Sequence, residues 1–146
     1  MVAWKTETTT SSFHTVLLVS KNTEMTSIRE TLFKKKGCAV INETSPNDAV
    51  RTARLLAPSL IILDIDLTHD ERIALCSALR ATTRGTILLL APKGNEQQIF
   101  EYYRAGVDER LFTPISPLVL LVKSMSWLIR SQWIGLSQTY MAQISA

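Results

Sequence analysis

The chain has 146 residues, 46% hydrophobic and 20% charged, which is the size and composition of about one globular domain with a single core. A net charge of +3 and an isoelectric point near 9.0 are too diffuse to argue for a nucleic-acid or membrane surface. No window has the apolar length of a spanning helix, and residues 1–12 hold Lys5 and a Thr/Ser cluster in place of a signal-peptide core. The expectation is a cytoplasmic protein with a loose tail over 1–12.

From residue 13 the pattern alternates. Phe13 to Val19 is a short apolar strand, and Glu24 to Lys36 a helix with Met25, Ile28, Leu32 and Phe33 inward and Gly37 as its stop. Cys38 to Ile41 is a second strand. Pro46 to Ala57 is a helix with Ala49, Val50, Ala53, Leu56 and Ala57 inward, broken by Pro58. Leu60 to Asp64 is the most apolar short stretch, closed by an acid, which is how a buried parallel strand delivers a carboxylate to the carboxyl edge of a sheet. Asp70 to Ala81 is the third helix and Thr86 to Ala91 the fourth strand. Asn95 caps a helix that Gly106 ends, Arg110 to Phe112 is a weak strand, and Ser116 with Pro117 opens a final helix. Cys38 and Cys76 sit in apolar contexts and are expected as buried thiols, not a disulfide or metal site.

Five strand–helix units in alternation predict an α/β fold, a doubly wound five-stranded parallel sheet with helices on both faces. The first strand runs into Ser20-Lys21-Asn22-Thr23 without a glycine-rich loop, so dinucleotide and P-loop readings fail at their defining motif. A small enzyme or a nucleotide or flavin binder on this scaffold therefore lacks a phosphate cradle.

Several stretches, in order, carry a family resemblance. They are Val16-Leu17-Leu18-Val19, Gly37-Cys38-Ala39-Val40, Asp48-Ala49-Val50, Pro58-Ser59-Leu60-Ile61-Ile62-Leu63-Asp64 and Ala105-Gly106-Val107-Asp108-Glu109, with Pro114 after the last strand. Over residues 13–130 the chain resembles the CheY-like receiver domain of bacterial two-component response regulators. The resemblance implies the flavodoxin-like strand order 2-1-3-4-5. It also implies Asp64 as phospho-acceptor position, with the carbonyl of Asp66 facing a Mg²⁺ ion. In that chemistry an acidic pair after the first strand holds the metal, and a Ser/Thr and a Lys bind the phosphoryl oxygens.

Here the acidic pair falls on Ser20 and Lys21, the Ser/Thr on Ala91, the Lys on Thr113, and an aromatic position on Arg110. That is a pattern of loss. The sequence leads to the expectation that Lys21 pairs with Asp64 and keeps it ionised without a metal. Asp66, Asp70 and Glu71 are expected as a solvated loop and helix-start acids, His69 as an exposed loop residue, His14 as structural, and Lys34 to Lys36 as a solvated helix end.

The final helix is apolar over more than one stripe, from Leu118 through Trp133 and Ile134, so a second face must be covered. The resemblance points to the helix 4–strand 5–helix 5 surface, where Tyr102, Tyr103, Trp127 and Trp133 are candidate anchors for a protein partner or a second copy. Residues 131–146 are expected as a helical extension or the start of a linker. The function expected is a non-enzymatic, phosphorylation-independent receiver module acting through protein contacts or dimerisation, without a cofactor. The competing reading is a working phospho-acceptor in a phosphorelay, with Mg²⁺ on Asp64 and Asp66, at the N-terminal end of a DNA-binding regulator. Nucleic acid would be reached only through an output domain.

Overall fold

The computed structural model describes residues 14–130. Five parallel strands, β1 (His14–Ser20), β2 (Cys38–Glu43), β3 (Leu60–Asp64), β4 (Thr86–Ala91) and β5 (Glu109–Phe112), form one sheet in the order β2-β1-β3-β4-β5. The three central strands are apolar at both parities because helices cover both faces. Val16, Leu18, Leu60, Ile62, Leu88 and Leu90 face one core layer, and Leu17, Val19, Ile61, Leu63, Ile87 and Leu89 face the other.

Helices α1 (Thr23–Lys35), α2 (Pro46–Leu56), α3 (His69–Arg80) and α4 (Glu96–Arg104) connect the strands, and α5 follows over 117–130. Local chemistry fixes their ends. Asn22, Ser45, Thr68 and Asn95 each accept a backbone N–H in the first turn, and Thr68 and Asn95 complete capping boxes with Glu71 and Gln98. Gly37 and Gly106 supply the positive φ (84° and 111°) that follows α1 and α4, the stops expected from sequence. Phe33 from α1 and Leu120, Leu121 and Leu128 from α5 fill the first layer. Ala49, Ala53, Leu75, Cys76, Leu79 and Tyr102 fill the second.

Three inward assignments are corrected. Ile28 is 50% exposed, and the inward place on α1 belongs to Arg29, which stands four residues from both Met25 and Phe33. Leu56 is 49% exposed, and Ala57 is exposed in a left-handed cap, because α2 ends one residue before it. Both cysteines are buried free thiols, and burial pushes the Cys76 thiol up to about 12. Phe13 and the segments 1–12 and 131–146 lie outside the described residues.

Gly85 precedes β4, and a Cβ there would run into the backbone carbonyls of Pro58 and Ser59 just before β3. Main chain cannot rotate away as a side chain can. Gly85→Ala is expected to destabilise the fold by about 1–3 kcal/mol in chemical denaturation, through strain between adjacent strands.

Candidate functional site

Strand parity decides where Asp64 points. Leu60 and Ile62 face the layer that holds α1 and α5, so Asp64, two residues on, emerges on that same side at the strand end. Ser20 ends β1 in register with it and shares the parity of Val16 and Leu18. Arg29 approaches from the inward stripe of α1, and its Nη1 donates to Asp64 Oδ2 at 2.8 Å. The Arg29 side chain is 5% exposed and that of Asp64 28%, so the guanidinium is dry while the carboxylate keeps an edge to water. The Arg29 Nε–H has no hydrogen-bond partner among the described residues, which makes Asp64 the main compensation for a buried charge.

The partner expected from sequence was Lys21, and that assignment is corrected. Lys21 lies one residue beyond β1 and is exposed, while Arg29 makes the contact. Ser20 is buried, and its hydroxyl accepts the backbone N–H of Asn22. Asp66 and Asp70 are exposed, and Glu71 closes the α3 capping box. Among the described residues no group of three His, Cys, Asp or Glu side chains stands ready to hold a metal ion. The donor set does not fit Mg²⁺, which needs an oxygen shell: its carboxylate is engaged by a cation, and a serine and a lysine stand in place of the acidic pair.

At the other side of the strand ends, Ala91 is buried and Thr113 is half-buried before a cis peptide bond to Pro114. Arg110 turns inward and is 6% exposed. Its Nη2 donates to the carbonyl of Pro92, in the loop that follows β4, and its guanidinium lies 4.0 Å from the centre of the Phe112 ring. The loop is thus tied to β5 by the Arg110 side chain.

Two further corrections concern α3 and α4. His69 opens α3 as a half-buried bridge, with Nε2 2.7 Å from Glu101 Oε2 and Nδ1 3.2 Å from the Tyr102 hydroxyl. His69 holds the Glu101 carboxyl below the usual carboxylate range, with Gln97 adding to the effect. Tyr102 is 4% exposed and belongs to the core, so it is no interface anchor. Tyr103 is 44% exposed, and its hydroxyl accepts the N–H of Arg110. Trp127 is half-buried and donates to Glu109 Oε1 at 2.8 Å. Burial raises the Glu109 carboxyl, but the Trp127 and Lys123 hydrogen bonds outweigh it and hold the group below its usual range. Trp133 lies outside the described residues. His14, in β1, is half-buried at the first strand's start.

The family model of the response regulator receiver domain matches residues 16–124. The chain belongs to that family. Among relatives, the transcriptional regulatory protein CpxR of Escherichia coli is 28% identical over 120 residues, which cover 81% of this chain and 50% of CpxR. The chain spans about half the length of most of the curated relatives it matches. Among solved structures, a two-component response regulator from Clostridium difficile superposes with a TM-score of 0.72 at 20% identity, covering 81% of this chain and 98% of that one. The receiver domain of the sensor histidine kinase PA1611 from Pseudomonas aeruginosa, with magnesium coordinated in its active-site cleft, gives 0.65 at 21% identity and covers 79% and 97%. This receiver domain has the flavodoxin-like, CheY-like fold, and it is a signalling module of two-component systems rather than an enzyme of the usual kind. Receiver domains typically use Mg²⁺ in phosphorylation, which gives the site of Asp64 its interest.

The missed residue was Arg29, and its signal was present: a charge at the inward position between Met25 and Phe33 has to be paired. Removing either partner tests the pair, with unequal costs. Asp64→Ala leaves a dry guanidinium uncompensated and is expected to destabilise the fold by about 3 kcal/mol. Arg29→Met leaves a carboxylate that water can reach and is expected to cost about 1 kcal/mol or less. In a site of clustered carboxylates, removal of the acceptor would instead relieve repulsion and stabilise. Urea denaturation of the two variants reads both the sign and the order.

Proposed function

We propose that this receiver domain signals without phosphorylation, through protein contacts made by one fixed conformation. The observation that carries the reading is the Arg29–Asp64 pair. Phosphoryl transfer to a carboxylate needs a divalent charge to gather the incoming phosphoryl group. Arg29 occupies Oδ2 with a single, permanent charge, and Ser20 and Lys21 offer a metal no carboxylate.

The far half of the switch supports the same reading. A phosphoryl group on Asp64 acts on shape only if something is drawn toward it. Ala91 has no hydroxyl to donate and Thr113 no ammonium. Arg110, bonded to the Pro92 carbonyl, holds the β4–α4 loop in one place. The module is read as fixed, with no cofactor and no catalysis of its own. The chain carries no helix long and apolar enough to cross a membrane among its described residues.

A protein partner has the α4–β5–α5 side as its first candidate surface. Phe100, Tyr103 and Phe112 are 58%, 44% and 54% exposed there, and Arg104 and Arg110 lie over the rings of Phe100 and Phe112. Regulation of transcription, the role named for CpxR, would reach this chain through an output domain joined to it or bound by it.

Intact mass after incubation with a small-molecule phosphodonor and Mg²⁺ tests the reading, with Asp64→Asn as control. The unmodified mass is expected in protein shown to be folded by circular dichroism. A phosphoryl adduct that disappears in the control would establish a working phospho-acceptor and end the proposal.

A further inference from the structure

Folding separates the charges that the composition averages. Helices α1 to α4 begin with acids at the carboxyl edge of the sheet: Glu24, Asp48, Asp70 with Glu71, and Glu96. They end with bases at the opposite, amino edge: Lys34 with Lys35, Arg54, Arg80 and Arg104. The 13 residues of α1 span about 20 Å, twice the Debye length of about 10 Å in dilute salt. The two edges therefore act on their surroundings as separate surfaces.

The cations of the amino edge exceed what the helices need. A helix C-terminus presents about half a negative charge, which one base offsets. Lys36 and Arg84 stand beyond the helix ends, and Lys35 doubles Lys34. Lys35, Lys36, Arg54 and Arg84 are exposed, and their side chains make no ion pair among the described residues. The carboxylates that open β5 at this edge are engaged within the fold: Asp108 pairs with Arg80 at 3.1 Å and Glu109 with Lys123 at 3.1 Å. Outside residues 14–130 the charged side chains are Lys5 and Glu7, which cancel.

Apolar groups stand in the same surface. Leu55 and Leu56 close α2 at 78% and 49% exposure, directly after Arg54. Leu55 lies two residues from the buried Ala53, a turn of about 200° that carries it to the outer side. Ala57 then turns the chain in the left-handed region (φ 45°) and lines one cleft with Pro58, His14 and Arg84. His14 is in register with Cys38, two residues past Lys36. The leucines and the cations of α1, α2 and the α3–β4 loop thus border a single end face.

Exposed leucines set among unpaired cations select between polyanions. A nucleic-acid backbone would take the cations and leave Leu55 and Leu56 in water. An anionic bilayer takes both, because its headgroups meet Lys and Arg while leucines enter the boundary with the acyl chains. We propose that the amino edge of the sheet docks on an anionic lipid surface through Lys35, Lys36, Arg54 and Arg84, with Leu55 and Leu56 entering it. The domain lies on the bilayer with the edge that carries Asp64 turned away. The inference goes beyond the phosphorylation-independent reading and needs no phosphodonor.

Co-sedimentation of the full chain with vesicles tests it, comparing an equimolar mixture of phosphatidylglycerol and phosphatidylcholine with phosphatidylcholine alone. Binding is expected to the anionic vesicles only, and to be lost near 1 M salt, where the Debye length falls to about 3 Å. Each cation at an anionic surface strengthens binding by roughly fivefold, so the double variant Lys35→Glu/Lys36→Glu is expected to lower affinity by more than about tenfold. Arg84→Glu and Leu55→Ser are expected to lower it severalfold. Lys93→Glu, the same charge change on the exposed loop after β4, is expected to bind within about twofold of the wild type, since it lies beyond the reach of the screened field. All the substituted side chains are exposed, and circular dichroism verifies that each variant is folded. Absence of binding to anionic vesicles overturns the proposal, as does equal binding to the neutral ones or an equal loss in Lys93→Glu. Unchanged binding in Leu55→Ser, or tighter binding to a random-sequence duplex DNA than to the vesicles, also overturns it and assigns the edge to polyanions at large. The phosphodonor experiment is independent: an adduct there leaves the lipid contact standing, and free protein here leaves the Arg29–Asp64 reading standing.

Discussion

The bond between Arg29 and Asp64 joins the two parts of the molecule that the function of a receiver depends on: the first helix and the edge where the sheet presents its carboxylate. A guanidinium at 5% exposure has lost most of its hydration, which costs several kcal/mol unless an anion offsets it. Asp64 is that anion. Position follows from parity, since a strand that sends Leu60 and Ile62 toward α1 sends Asp64 the same way. The polar end of β3 and the inward face of α1 are therefore committed to each other before any ligand arrives.

Arginines act as internal staples elsewhere as well. Arg80, at the end of α3, donates to the carbonyls of Gly106, Thr83 and Gly85 and pairs with Asp108 at 3.1 Å. It thereby ties a helix end to the starts of β4 and β5. Asp108 in turn accepts the N–H of Ile87, so the two strands share one carboxylate. Arg110 fastens the far end of β5 to the loop after β4. A planar fork of five donors suits this work, because one side chain can collect several carbonyls in a fixed geometry.

The fold was legible because its signals are local and repeated. Apolar runs bounded by Gly37, Pro58 and Gly106, with caps at Asn95 and Ser116, place every strand and helix within a residue or two, and the family resemblance supplied the strand order. The site was legible only in part. Asp64 and the substituted positions around it can be read one by one, but their pairing depends on which faces meet in three dimensions. Lys21 is next to the first strand in the chain and Arg29 is eight residues on, yet helix α1 folds Arg29 over the strand end while Lys21 faces water. Tyr102 and Tyr103 show the same limit. Adjacent in sequence and identical in type, they differ in burial because a helix turns about 100° between them.

A metal ion reaches a receiver by mass action, and its occupancy follows the supply. The guanidinium of Arg29 belongs to the chain, so every molecule carries its own counter-charge at every concentration of magnesium or phosphodonor. On the phosphorylation-independent reading proposed above, a molecule whose counter-charge is settled at synthesis has no second state in which to store a message. What can still vary on that reading is how many copies exist. Such a receiver would convey its own abundance, so that the rates at which a cell makes and destroys it take the place of a kinase.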